Sequence, residues 1–114
     1  MHNQHDFGRG YSTLPAGPFR PTTFQGQTVT VHYTGYLEDG TQFDSSRNRG
    51  KPFKFKLGSE QVVPGLDEGV SQLSIGERAK VTIPAASAYG ARGFPGLVPP
   101  HSALVFDLEL ITFN

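Results

Sequence analysis

The chain has 114 residues, ten basic and ten acidic, and no cysteine. That length holds one domain with a core of its own, the lack of cysteine excludes disulfides and thiolate metal sites, and balanced charge offers no field to gather nucleic acid or an anionic membrane. No apolar run approaches the roughly 18 residues that cross a bilayer, and Met1–Gly10 is polar where a signal peptide needs an apolar centre, so a cytoplasmic protein is expected.

Residues 1–23 carry Pro15, Pro18 and Pro21 among Gly8, Gly10 and Gly17 without periodicity, which predicts an extended or partly disordered arm with at most one edge strand near Tyr11–Leu14. The domain proper is expected over 24–114. In TVTVHYTGYL, Val29, Val31 and Tyr33 alternate with Thr30, His32 and Thr34, the pattern of a half-buried strand ended by a Glu38-Asp39-Gly40 turn. Phe53, Phe55 and Leu57 repeat it in PFKFKL. Helical spacing occurs once: Val63, Leu66, Val70 and Leu73 recur at i, i+3, i+7 and i+10, and Gly65 and Gly69 keep the helix short. Ala79, Val81 and Ile83, then Leu104, Phe106, Leu108 and Leu110, alternate in two further strands. The sum is an α+β domain, an antiparallel sheet with one short helix.

Candidate chemistry is sparse. His2 and His5 read as a solvated tail, His32 as a surface residue of its strand, and no serine has a visible triad. DSSRNRG, residues 44–50, has Asp, Ser and Asn at alternate positions, but the glycine falls one place late for a calcium loop and Phe55 stands where a glutamate is needed. GARG, residues 90–93, matches a nucleic-acid-clamping GXXG in four positions, with few basic neighbours. What remains is aromatic and apolar. Tyr33, Phe43, Phe53, Tyr89, Phe94 and Phe106 come from separate segments, and AYGARGFPGLVPPH, residues 88–101, is a loop by its glycines and prolines yet carries large apolar side chains. A shallow aromatic pocket roofed by residues 85–101 accounts for both, against the plain alternative that the rings are core.

VHYTGYLEDGTQFDSSRNRGKPFKFKLG, VVPGLDEGVSQLSIGERAKVTIP and AYGARGFPGLVPPHSALVFDLEL, taken together over about 26–111, resemble the FKBP-type peptidyl-prolyl cis-trans isomerases, the immunophilins that bind tacrolimus and rapamycin. The resemblance implies a twisted antiparallel sheet wrapped around one short helix. It implies an active pocket of Tyr33, Phe43, Asp44, Phe53, Val62, Val63, Leu66, Tyr89 and Phe106, with Arg49, Phe94 and Val98 as further substrate-binding residues. It also implies Leu66 as floor for the proline ring, and the Val63 N–H and Tyr89 hydroxyl as donors to substrate carbonyls. Members of the family often carry tryptophan where Leu66 stands, and histidine or tyrosine in place of Phe94. Expected partners are proline-containing clients and tacrolimus- or rapamycin-type macrolides, with no cofactor, metal, nucleic acid or membrane, and a monomer as the default. A module that binds clients without efficient turnover is the second reading, and an RNA-binding domain resting on GARG the third.

Overall fold

The computed structural model describes residues 4–6 and 23–114. Its elements run β1 (Gln4–Asp6), β2 (Thr28–Leu37), β3 (Gln42–Ser45), β4 (Phe53–Lys56), α1 (Pro64–Ser71), β5 (Arg78–Ile83), a 3₁₀ turn (Ala85–Ser87) and β6 (Leu104–Phe113). One sheet holds all six strands in the order β1-β5-β6-β2-β3, with β4 sharing the outer edge of β2. Every pairing is antiparallel except that of β1 with β5.

The alternations in the sequence become the two faces of this sheet, because successive side chains of a strand point opposite ways. Val29, Val31, Phe55, Ala79, Val81, Ile83, Leu104, Phe106, Leu108 and Leu110 are all buried on the inner face, which α1 covers. Asp107 and Glu109 stand on the outer face, where Arg78 grips Asp107 through two N–H donors and Arg47 pairs with Glu109 at 2.7 Å. β2 is the spine: it pairs with β6 along its length, with β4 through Thr28–Val31, and with β3 through Thr34–Tyr36.

β3 is an element that periodicity does not announce, since only Phe43 in its four residues is apolar. It forms because the chain reverses at Glu38-Asp39-Gly40, where Gly40 takes a φ of +91° that other residues resist, and the Asp39 carboxylate accepts from the Thr41 N–H. Between β3 and β4 the edge of β2 is left open, and the buried Ser46 fills it. The Ser46 hydroxyl accepts from the Tyr33 N–H at 2.8 Å and the Ser46 N–H donates to the Tyr33 carbonyl at 2.9 Å. The same hydroxyl meets His32 Nδ1 at 2.9 Å, so His32 is a half-buried, bonded residue under the turn that follows β3 and not the free surface residue the alternation predicts.

The helix occupies the stretch expected but is shorter than the Val63–Leu73 spacing. Pro64 opens it with φ already set, and it ends at Ser71, so the buried Leu73 packs from the segment beyond. Gly65 allows close approach: a Cβ there would meet the Ile83 side chain and, at 3.0 Å, the Ser87 carbonyl. The proposed strand at Tyr11–Leu14 lies outside the described residues, whereas β1 is a three-residue strand too short for any periodicity to mark.

Gly65→Ala is expected to lower stability by about 1–3 kcal/mol, the usual cost of forcing a methyl into a packed site, read as a lower urea midpoint. An unchanged midpoint would mean α1 does not seat on β5 as closely as described.

Candidate active site

Four rings form a wall along the sheet. Tyr33 from β2 meets Phe53 from β4 edge-on at 5.6 Å and Phe106 from β6 at 6.1 Å, and Phe106 meets Phe43 from β3 edge-on at 5.8 Å. The arrangement needs the glycine that follows Tyr33 by two. A Cβ on Gly35 would stand 2.6 Å from Phe43 and 2.9 Å from Phe106. A glycine inside an otherwise β-branched strand commonly marks such an approach, so this signal was present in TVTVHYTGYL.

Against the wall sits a cavity of about 180 Å³, lined by Tyr33, Phe43, Asp44, Phe53, Gln61, Val62, Val63, Leu66, Tyr89 and Phe106. All nine residues of the expected pocket are thus brought together. Leu66, on the first turn of α1 and nearly fully buried, faces the rings from the helix. Val62 and Val63 enter from the segment before it, and Tyr89 from the loop after the 3₁₀ turn. Gln61 is the lining residue that sequence reasoning missed; its side-chain carbonyl accepts from the Lys56 N–H at 2.9 Å, a role that ties the segment to β4 and that no motif shows.

The three residues expected beside the pocket fare differently. Arg49 reaches it by way of Asp44 and Tyr33. Val98 is buried in the core, and its N–H and carbonyl close a small bridge with Phe94 at 2.8 Å in each direction. Phe94 packs edge-on against Tyr89 at 5.5 Å and is about half exposed. Neither lines the cavity. They hold the loop that positions Tyr89, with the positive φ of Gly93 letting the chain pass close to the Val98 carbonyl.

The polar groups of the site are tied to one another. The Tyr33 hydroxyl donates to Asp44 Oδ2 at 2.7 Å and accepts from Arg49 Nη2 at 2.8 Å, while Arg49 Nη1 donates to Asp44 Oδ1 at 2.6 Å. The guanidinium also lies over the Tyr33 ring, 5.6 Å from its centroid. Burial, then the bond to Asp44, pushes the Tyr33 hydroxyl above its ordinary 10.0, partly opposed by Arg49. Burial alone would raise Asp44, but the hydrogen bonds from Tyr33 and Arg49 and the nearby guanidinium charge outweigh it and hold the carboxyl below its ordinary 3.8. Tyr89 is raised by burial and by the Asp44 charge. At neutral pH both tyrosines are therefore neutral O–H donors and Asp44 is a carboxylate. The Tyr89 hydroxyl and the Val63 N–H, which precedes the helix ladder, have no acceptor among the described residues.

The structure thus gathers the nine residues around one largely apolar cavity, and direct comparison decides the family. The model of the FKBP-type peptidyl-prolyl cis-trans isomerases matches residues 21–111, four-fifths of the chain. The chain belongs to this family. Among FKBP-type relatives, it is 55% identical over 104 residues to the peptidyl-prolyl cis-trans isomerase Fkbp12 of Drosophila melanogaster, covering 90% of this chain and 96% of that one. It is 57% identical over 89 residues to the FK506-binding protein 1 of Debaryomyces hansenii, covering 78% and 80%. With the Candida glabrata FK506-binding protein 1 it shares 56% over 90 residues, 79% of each chain.

The lowered Asp44 carboxyl carries a pH signature. A depressed folded-state value gives stability that is present above the unfolded value and lost as pH falls through the folded one. Asp44→Asn should therefore unfold more easily than the parent above about pH 4, and the gap should narrow as pH falls below that. A gap that stays constant as pH falls in urea titrations would show that the ion pair adds nothing.

Proposed function

We propose that the chain accelerates rotation about X-Pro peptide bonds by holding the bond in this cavity, and that the cavity also takes macrolides of the FK506 (tacrolimus) type, a reading supported by its similarity to the FK506-binding proteins of Debaryomyces hansenii and Candida glabrata. The observation that carries the reading is the ring wall of Tyr33, Phe53 and Phe106 facing a buried Leu66, with donors and no free charge between them.

An X-Pro bond prefers trans by only about 0.5–1 kcal/mol, but exchange must break amide resonance over a barrier of about 18–20 kcal/mol. Nothing covalent has to be made or broken. As the C–N bond twists, charge separation across the amide falls. A weakly polar surrounding then favours the twisted bond over the planar one, which water solvates better. In this reading Leu66 floors the proline ring, and Tyr33, Phe53, Val62 and Phe106 enclose it, with Phe43 closing the far end of the wall. The Val63 N–H and Tyr89 hydroxyl hold substrate carbonyls in the turned conformation. Asp44 and Arg49 hold the Tyr33 ring, and Phe94 and Val98 hold the loop of Tyr89.

Leu66 gives a second reading some weight. Leucine offers less flat apolar area than tryptophan, and a client could be held with little acceleration.

Exchange NMR on a Leu-Pro tetrapeptide, with and without tacrolimus, separates the two: catalysed exchange that the macrolide abolishes supports the isomerase, and macrolide binding without catalysed exchange supports the binding module. Phe106→Ala should lower kcat/KM at least about tenfold, some 1.4 kcal/mol of lost stabilisation of the twisted state, and Leu66→Trp should raise it. Full activity in a folded Phe106→Ala protein would remove Phe106 from the wall.

A further inference from the structure

The small cavity borders two larger hollows of opposite charge. One, about 800 Å³, is lined by Arg49, Lys51, Pro52, Phe53 and Lys54. The other, about 550 Å³, includes Glu60, Val62, Asp67 and Glu68. Each shares a wall with the cavity, Phe53 on the first side and Val62 on the second. A peptide whose X-Pro bond occupies the cavity and whose chain leaves over Phe53 or over Val62 runs past one of them.

Not all of these charges are available. Arg49 is paired with Asp44, and the Asp67 carboxylate accepts from the Gly58 N–H at 2.8 Å. Lys51 and Lys54 are exposed and meet no carboxylate among the described residues, and Glu60 and Glu68 are exposed and meet no cation there. Among the described residues, the Phe53 side therefore presents two ammonium groups without a carboxylate partner and the Val62 side two carboxylates without a cation, each beside a wall of the cavity.

We propose that the enzyme selects among X-Pro substrates by flanking charge, favouring a chain that lays an aspartate or glutamate along Lys51 and Lys54 and rejecting one that lays it along Glu60 and Glu68. The inference rests on the isomerase reading of the cavity. Because the charges are exposed, the selection is moderate and falls with salt.

The test is exchange NMR on a neutral Leu-Pro peptide and on variants with one glutamate at each of the three positions before and after the dipeptide. Glutamate on one flank should raise kcat/KM by about two- to fivefold and on the other lower it by a similar factor, so the gain also fixes the direction of the bound chain. Both effects should vanish near 1 M salt, where screening is effective beyond about 3 Å. The double variant Lys51→Gln/Lys54→Gln should lose the gain, and Glu60→Gln/Glu68→Gln the loss, while each turns over the neutral peptide as the parent does. Equal rates for both flanks, or a gain that survives the lysine replacements, would overturn the proposal. If the parent does not catalyse exchange of the neutral peptide at all, it is the reading of the cavity that fails instead.

Discussion

A buried tyrosine hydroxyl must find partners inside the protein, and most of the site follows from how Tyr33 does so. Its ring is fixed by the alternation of β2, on the inner face and almost wholly covered. The nearest chain that can supply an acceptor is β3, across the hairpin, and Asp44 supplies it. A half-buried carboxylate then requires a cation, and Arg49 closes the ring from the following turn. Three segments are locked to one another by the demands of a single hydroxyl.

That closure also determines what kind of chemistry the cavity can host. Each polar group on the sheet side has its hydrogen bonds committed to another, and each titrates outside the neutral range in the direction that keeps its bonds: Tyr33 upward, Asp44 downward, Arg49 upward. None is placed to pass a proton to a substrate. Apart from Gln61, the remaining surface is aromatic and aliphatic, the material that favours a twisted amide over a planar one, and among the described residues the Val63 N–H and Tyr89 hydroxyl are donors without an acceptor. A fold that satisfies its own polar groups leaves an environment of low polarity, and on the isomerase reading that environment is the catalyst.

The strands were legible because a period of two is visible wherever one face is buried, as in Val29, Val31 and Tyr33 or Leu104 to Leu110. The helix was legible from Val63, Leu66 and Val70, though its end was not, since Leu73 keeps the apolar phase after the helix has stopped. β3 was illegible because its stability comes from pairing with β2 and not from its own four residues. The function of Ser46, thirteen residues beyond the Tyr33 whose amide it satisfies, is a long-range fact that no local pattern records. Five of the nine pocket residues, Tyr33, Phe43, Phe53, Tyr89 and Phe106, stood out as unexplained aromatics, while Asp44, Val62, Val63 and Leu66 came from family resemblance alone, and the structure brings all nine into one cavity. Val98 shows the limit of that route, because an apolar residue in a loop lines a pocket or plugs a core according to which way the loop turns.

The central claim is that catalysis here is by environment, with no group gaining or losing a proton. The measurement that meets it most directly is kcat/KM for a Leu-Pro peptide as a function of pH, by exchange NMR between about pH 5 and 9, a window inside the ordinary carboxylate and tyrosine values. With Asp44 held below that window and Tyr33 and Tyr89 above it, the profile should be flat. A bell-shaped or sigmoidal profile within the window would show a titrating group at work and contradict the account.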